Sequence, residues 1–337
     1  MELPIDGKDW EDWVKDGTDW HYPRIVTLDD YIDTSRSDRK FRLICMLSSW
    51  YEGDIIAAQI ANCRHHGCDE VCLLDNDSPD DTVRVAKHSG IDIVRSYSTE
   101  FYRDELRVRL LNEWIREIVH SNADEELWVL TLDADEMIQV PRGLTLREFI
   151  GSLDSMINTF GTYSFDHYPT DKPENIPGQH PADLQPYGWV RKSTFCSPAK
   201  HWKHPIVRYT RGHHFACQTR GLHIPFVSGN AFLVEPSESL WLHHFPFREE
   251  SATRARLTAL CTPSSELGGH HRSIVDDVRL NGEGAIKRHR SLDLIYSQQW
   301  DSVELPHSQI EQKKIGVDVK HWSELMRPDE YEPLRWY

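Results

Sequence analysis

Three acidic residues within four positions close the apolar segment Trp128-Val129-Leu130-Thr131-Leu132-Asp133-Ala134-Asp135-Glu136. Carboxylates this close raise one another's pKa unless a cation lies among them, and a hard divalent ion such as Mg²⁺ or Mn²⁺ is the natural neutraliser. The plain alternative is a solvated turn after a strand, which a lone Asp-x-Asp fits as well. Two other apolar runs also end in acid: Ser48-Ser49-Trp50-Tyr51-Glu52 and Leu73-Leu74-Asp75-Asn76-Asp77-Ser78-Pro79-Asp80-Asp81-Thr82. Asp75 can accept from ribose hydroxyls or a base N–H, while Ser78-Pro79-Asp80 also reads as a helix start with Pro near its first position.

The elements that carry these residues follow from apolar periodicity. Phe41–Ser49 suits a buried strand, and Gly53 to His66 carries Ile55, Ile56, Ile60 and Ala61 at helical spacing. Gly67 marks that helix's end. A second strand at Glu70–Leu74, a helix at Asp80–His88 and a third strand at Ile91–Val94 follow. Leu106, Leu110, Trp114 and Ile118 recur every four residues along a long amphipathic helix, before a fourth strand at Leu127–Leu132. Such alternation predicts an α/β fold, a largely parallel sheet with helices on both faces and ligands at the carboxyl ends of its strands. Beyond Pro141 the pattern breaks into a mixed, loop-rich half. Short strands are expected near Thr159–Phe165, Ile206–Tyr209, Ala231–Val234 and Leu240–Phe245, with a helix at Glu249–Leu260. Residues 1–40, rich in Asp and Trp, read as an extension laid on the core. Residues 41–140 form a first half, 141–262 a second, and 263–337 a C-terminal loop and helical extension, with a mobile loop expected within 263–290.

Composition narrows the class. The chain has 337 residues, 38 Lys plus Arg against 54 Asp plus Glu, and a net charge of −16, with 39% hydrophobic and 27% charged residues. That describes a globular chain rather than a disordered or fibrous one. The acidic balance disfavours sequence-independent binding to nucleic acid, though it leaves a local basic groove open. Apolar runs such as Leu43-Ile44-Cys45-Met46-Leu47 fall far short of the roughly 18 to 20 residues needed to cross a bilayer. The N-terminus shows no secretory pattern, so a cytoplasmic location is expected. Seven Cys fit reduced thiols, and the Cys63-Arg64-His65-His66-Gly67-Cys68 segment with Cys72 matches no paired zinc spacing. Cys63 and Cys72 are expected as small buried thiols, without structural zinc.

Taken together, Glu52, the Asp75–Thr82 segment and Leu132-Asp133-Ala134-Asp135-Glu136 resemble, in order and spacing, family-2-like glycosyltransferases of the GT-A fold. His244-Phe245-Pro246-Phe247-Arg248 with Arg256 looks like that group's C-terminal His-aromatic-Pro-aromatic-Arg segment and the basic residue on the helix after it. The family pattern carries Lys where this chain has Arg256, and Gly212-His213-His214 stands where it carries Gly-Asn-His. The likeness covers about residues 41–256. It implies a GT-A-like, Rossmann-like core with a nucleotide-sugar half and an acceptor half. It further implies a metal-dependent hexosyltransferase-like enzyme moving a sugar from a nucleotide-sugar donor, UDP-sugar foremost, to an acceptor hydroxyl, with inversion. On that resemblance Asp135 binds Mn²⁺ or Mg²⁺, Asp133 contacts metal or ribose, and His244 is a further ligand. Glu52 and Asp75 hold the nucleoside, and Arg248 and Arg256 face the diphosphate. The acceptor is a glycan or another hydroxyl-bearing molecule, with a nucleic-acid acceptor disfavoured by charge. For the base that takes the acceptor proton, Asp171 and Asp166 lie in the interval where acceptor-side groups are expected, and both also fit loop or turn-cap roles.

Two rival readings start from other residues. His201, His204, His213, His214, His223, His243 and His244 could build a transition-metal centre, making a hydrolase or non-haem iron oxygenase. Trp189, Trp202 and Trp241 could stack on sugars in a carbohydrate-binding protein without turnover. The first leaves the acidic strand ends unexplained, and the second leaves a costly acidic cluster without a ligand.

Overall fold

The first apolar run becomes a strand whose alternating side chains feed two cores. Leu43, Cys45 and Leu47 join one buried cluster, and Ile44 and Met46 the other, as the two-residue period of a strand requires. A computed structural model describes residues 20–21, 24–26, 39–99, 103–140, 144–155, 157–167, 185, 187–190, 202–210, 216–217, 226–228, 232–234, 240–260 and 319–321. The principal elements in chain order are β1 (Arg42–Ser49), α1 (Ile56–His65), β2 (Glu70–Asp75), α2 (Thr82–His88), β3 (Ile93–Ser96), α3 (Asp104–Ser121) and β4 (Leu127–Asp133). After these come β5 (Glu136–Gln139), α4 (Leu146–Gly151), β6 (Ile157–His167), β7 (Tyr187–Val190), β8 (Trp202–Tyr209), β9 (Trp241–His244) and α5 (Glu250–Leu260). The expected mobile loop within 263–290 lies outside the described residues.

The sheet is mixed, with the parallel core that the sequence predicts. β4, β1, β2 and β3 run parallel side by side, and β8 then continues the sheet antiparallel to β4, followed by β6 and β7. One face of the parallel part is covered by α1, where Ile56, Ile60 and Cys63 meet Leu43, Leu47, Leu130 and Leu132. On the other, Val108, Leu111, Trp114 and Ile115 of α3 meet Ile44, Met46, Leu127 and Val129. Burying each such side chain contributes roughly 1.5–3 kcal/mol. The buried stripe of α3 is turned from the expected one: Arg107 and Val108 are buried, while Leu106, Leu110 and Ile118 are half-buried.

Among the elements that escape the sequence reading are β5 and α4. β5 follows the acidic turn directly and pairs antiparallel with β9, while α1 covers its other edge through side chains. Gln59 Nε2 donates to Glu136 O at 2.6 Å, and Asn62 exchanges two 3.0 Å bonds with the Ile138 backbone. These satisfy buried backbone groups that a second strand would otherwise pair. α4 opens with a capping box, Thr145 accepting from Glu148 N while Glu148 accepts from Thr145 N.

Residues 20–21 pair with 226–228, and 24–26 pair in parallel with 232–234, so N-terminal segments join strands of the second half. Cys45, Cys63, Cys68 and Cys72 are buried free thiols, in line with the expectation for Cys63 and Cys72. Among the described residues no helix is long and apolar enough to cross a membrane.

Candidate active site

The loops after β1 and β2 are laced together before any ligand is considered. Tyr51 N donates to Ser78 Oγ at 3.1 Å, Glu52 N to Thr82 Oγ1 at 2.9 Å, and Gly53 N to Asp80 Oδ2 at 3.0 Å. A Cβ at Gly53 would stand 3.0 Å from that Asp80 oxygen and 3.2 Å from Thr82 N, so the close approach favours glycine. Both loops hold a non-glycine residue in the left-handed region, Tyr51 at φ 63° and Asp77 at φ 48°. Such strain persists where surrounding bonds over-determine the backbone, and it collects at functional sites.

Asp75, at the end of β2, is 1% exposed and takes Ser49 Oγ at 2.7 Å, Ser78 Oγ at 2.6 Å and Ser78 N at 2.8 Å. It therefore organises the turn into α2, the structural role that the Ser-Pro-Asp pattern implied beside the nucleoside role.

At the end of β4 the acids separate. Asp133 accepts from Ser48 Oγ at 2.9 Å, from Arg107 of α3, and from Lys203 Nζ of β8 at 3.2 Å. The same ammonium lies 2.5 and 2.6 Å from the two oxygens of Glu136. Burial pushes the Asp133 pKa up, but Arg107, Lys203 and the Ser48 bond more than offset it and hold the group well below the carboxylate range. Burial dominates at Glu136 and raises it despite Lys203. Lys203 keeps its charge, since the two carboxylates outweigh its own desolvation.

Asp135 points elsewhere. Its Oδ2 lies 3.5 Å from His244 Nε2, 3.6 Å from Arg248 Nη1 and 3.7 Å from Arg256 Nη1. The backbone sets this meeting: β9 pairs with β5 so that His244 is opposite Glu136, and Phe245 N donates to Asp135 O at 2.9 Å. Burial again opposes ionisation of Asp135, and His244 with the two guanidiniums overcomes it and lowers the pKa. Glu52 completes the group, its oxygens 2.5 Å from Arg248 Nη2 and 2.9 Å from Arg256 Nη1. Desolvation is the larger influence there, and the Glu52 pKa is pushed up to about 7 against the pull of both guanidiniums. Asp54 holds Arg248 in a fork, accepting from Nε at 2.8 Å and Nη2 at 3.0 Å.

Glu52, Asp75, Asp133, Asp135, His244, Arg248 and Arg256 thus all stand around the carboxyl ends of β1, β2 and β4. Asp166 lies on β6 in register with His244 of β9, and Asp171 lies outside the described residues, as do His201, His213, His214 and His223. Sequence reasoning missed Lys203, Arg107 and Asp54. A charged residue inside the strand-like run Trp202-Lys203-His204-Pro205-Ile206-Val207 was the available signal for the first. The His-rich centre gains little from the described residues: His243 sits 2.8 Å from His167 and 2.9 Å from Gln139, so both its ring nitrogens are engaged. Burial holds His204 neutral, with its pKa lowered to about 3. No group of three or more metal-binding side chains stands among the described residues. Asp135 and His244 are a carboxylate and imidazole pair that fits a divalent ion whose other ligands come from a bound molecule.

No family model and no curated protein match the chain. Among solved structures, it is similar to glucosyl-3-phosphoglycerate synthase from Mycobacterium tuberculosis in complex with Mg²⁺ and UDP, at 20% identity and a TM-score of 0.27 over 44% of this chain and 50% of that one. Another complex of that synthase, with Mn²⁺, UDP and phosphoglyceric acid, matches at 16% identity and a TM-score of 0.33 over 74% and 87% of the two chains. The chain spans about half the length of the first of these. At such scores no residue role passes from one protein to the other.

Proposed function

We propose that this chain is a metal-dependent glycosyltransferase with a GT-A-like core, using a nucleotide-sugar donor, UDP-sugar foremost. One observation carries the reading: Arg248 and Arg256, separated from Glu52 by 196 and 204 residues, converge with it and with Asp135 and His244 where a parallel sheet presents its ligand site. Two guanidiniums beside a carboxylate and imidazole pair suit a diphosphate that shares a cation with Asp135. Asp135 and His244 would hold Mn²⁺ or Mg²⁺, which when bound stabilises negative charge on the departing diphosphate. Arg248 and Arg256 would bind that diphosphate, exchanging part of their pairing with Glu52 and Asp54. Glu52 and Asp75 would lie toward the nucleoside, with Asp133 at the ribose edge.

On the family resemblance, an acceptor hydroxyl attacks the anomeric carbon in line, with inversion, as the C–O bond to the diphosphate breaks. A carboxylate takes the hydroxyl proton, and Asp166 and Asp171 are the candidates. The acceptor is a glycan or another hydroxyl-bearing molecule.

Calorimetric titration with UDP and GDP, each with Mn²⁺ and with EDTA, tests this without knowledge of the acceptor. The expected result is metal-dependent binding of UDP. Failure to bind either nucleotide under both conditions overturns the reading.

A further inference from the structure

The Asp133 side of the acidic turn contains a cation supplied by the protein itself. β8 pairs with β4 from Ile206 opposite Leu130 to Tyr209 opposite Leu127, and beyond that pairing, where β8 has an irregularity in its register with β6, the Lys203 side chain reaches Asp133. The ammonium is 2% exposed as part of its residue and lies against both oxygens of Glu136 and one of Asp133. Arg107 and Ser48 occupy the other Asp133 oxygen, and Asp133 N donates to Glu136 Oε2 at 3.2 Å. Every oxygen of these two carboxylates therefore has a donor. Removing charges from water costs several kcal/mol per ion, so a buried Lys–Glu–Asp group is a dear way to hold two strands together where apolar residues would serve. Its chemistry is that of a metal site: a compact charge with three donors set among carboxylates.

We propose that Lys203, aided by Arg107, is the resident cation of the acidic strand end and confines divalent metal to Asp135 and His244, so that the site takes one ion. Asp133 then meets a protein donor at each oxygen and presents a neutralised edge toward the ribose side. The proposal rests on the reading that a divalent ion accompanies the nucleotide, and it makes Lys203 a determinant of metal stoichiometry without contact to the reacting atoms. Lysine rather than a second metal has a functional consequence: that charge cannot leave with product.

The test counts Mn²⁺ bound per chain, with and without UDP, from the electron paramagnetic resonance signal of free Mn²⁺. Wild type is expected to bind one ion with UDP present. Lys203→Gln should bind one more, and Mn²⁺ should raise its thermal midpoint by more than it raises that of wild type. Lys203→Arg should keep the wild-type count. If Lys203→Gln folds only in buffer containing Mn²⁺, that rescue supports the proposal. If it does not fold at all, Arg107→Gln decides, with about tenfold tighter Mn²⁺ binding expected from the loss of one nearby positive charge. Folded Lys203→Gln with the wild-type ion count and no added stabilisation overturns the proposal, as does unchanged affinity in Arg107→Gln. Gain of Mn²⁺ in Lys203→Gln is read without nucleotide, so a wild type that ignores UDP sinks the transferase reading and leaves this outcome separately visible.

Discussion

The two sides of the acidic turn are neutralised in different ways. On the side of Asp133 and Glu136, Lys203 and Arg107 make direct hydrogen bonds, with Lys203 Nζ 2.5 to 3.2 Å from its partners. On the side of Asp135, three basic groups stand 3.5 to 3.7 Å from one oxygen, beyond ordinary hydrogen-bond length. Tight pairing saturates lone pairs and makes a structural joint, whereas looser pairing leaves charge available to a ligand. A three-acid motif is therefore two environments two residues apart, since Asp133 and Asp135 leave the strand end in different directions.

The largest test of that division is Asp135→Asn, which should reduce metal-dependent turnover by about 10²–10³-fold while leaving the thermal midpoint within a few degrees of wild type. Near-normal turnover would remove Asp135 from the metal site. Asp133→Asn is expected instead to act mainly on stability, and a well-folded Asp133→Asn variant with the same loss of turnover and of Mn²⁺ would erase the difference between the sides.

Arg248→Lys comes next. It keeps the charge but loses the fork onto Asp54, and calorimetry should show about tenfold weaker UDP with uridine little changed. Equal weakening of both ligands would take Arg248 out of the phosphate position. Alanine is the poorer choice here, because it would leave the buried Glu52 with Arg256 alone, and breaking a buried ion pair costs about 3–5 kcal/mol.

Acid titration sharpens the comparison further. The Asp133 pKa is lowered on folding from its ordinary 3.8, so its stabilising contribution is complete above that value and disappears as the pH falls below it. The thermal midpoint of wild type should drop in acid, and Asp133→Asn should drop less; parallel curves would show that the Arg107 and Lys203 contacts do not stabilise the folded carboxylate.

The smallest effect is a control far from both sides. Thr145→Ala removes the capping box of α4 and should cost about 1 kcal/mol in denaturant titration, with UDP binding unchanged.

Much of the first half was readable from periodicity because each of its elements buries a local pattern. The run from Arg42 to Ser49, the Ile56, Ile60 and Cys63 stripe and the Leu127–Asp133 strand all lie within a residue or two of expectation. α3 was placed correctly along the chain but turned about its axis, since Arg107 is drawn inward by Asp133, an attraction that hydrophobic spacing does not encode. β5 was missed because its partners are distant in sequence: β9 on one edge, and the Gln59 and Asn62 side chains on the other. The capping box at Thr145 carries a readable Thr-x-x-Glu pattern, but it lies just beyond Pro141, where apolar periodicity gives way to a loop-rich composition. The second half was foreseen as short strands near Thr159, Ile206 and Leu240, though not as one continuation of the same sheet.

What the amino-acid sequence determined by itself was the alternation of strands and helices and the acid at three strand ends, because apolar period and strand termination are local properties. What only the tertiary structure decided was which cation meets which acid. Lys203 is 70 residues from Asp133 and Arg107 is 26 away, while Arg248 is 196 from Glu52. Nothing in the spacing of the acids says that one neighbour is a fixed ammonium and the other an imidazole and two guanidiniums. That follows from the register of β8 on β4 and of β9 on β5, where backbone pairing across the sheet brings charges of distant origin within a few ångströms.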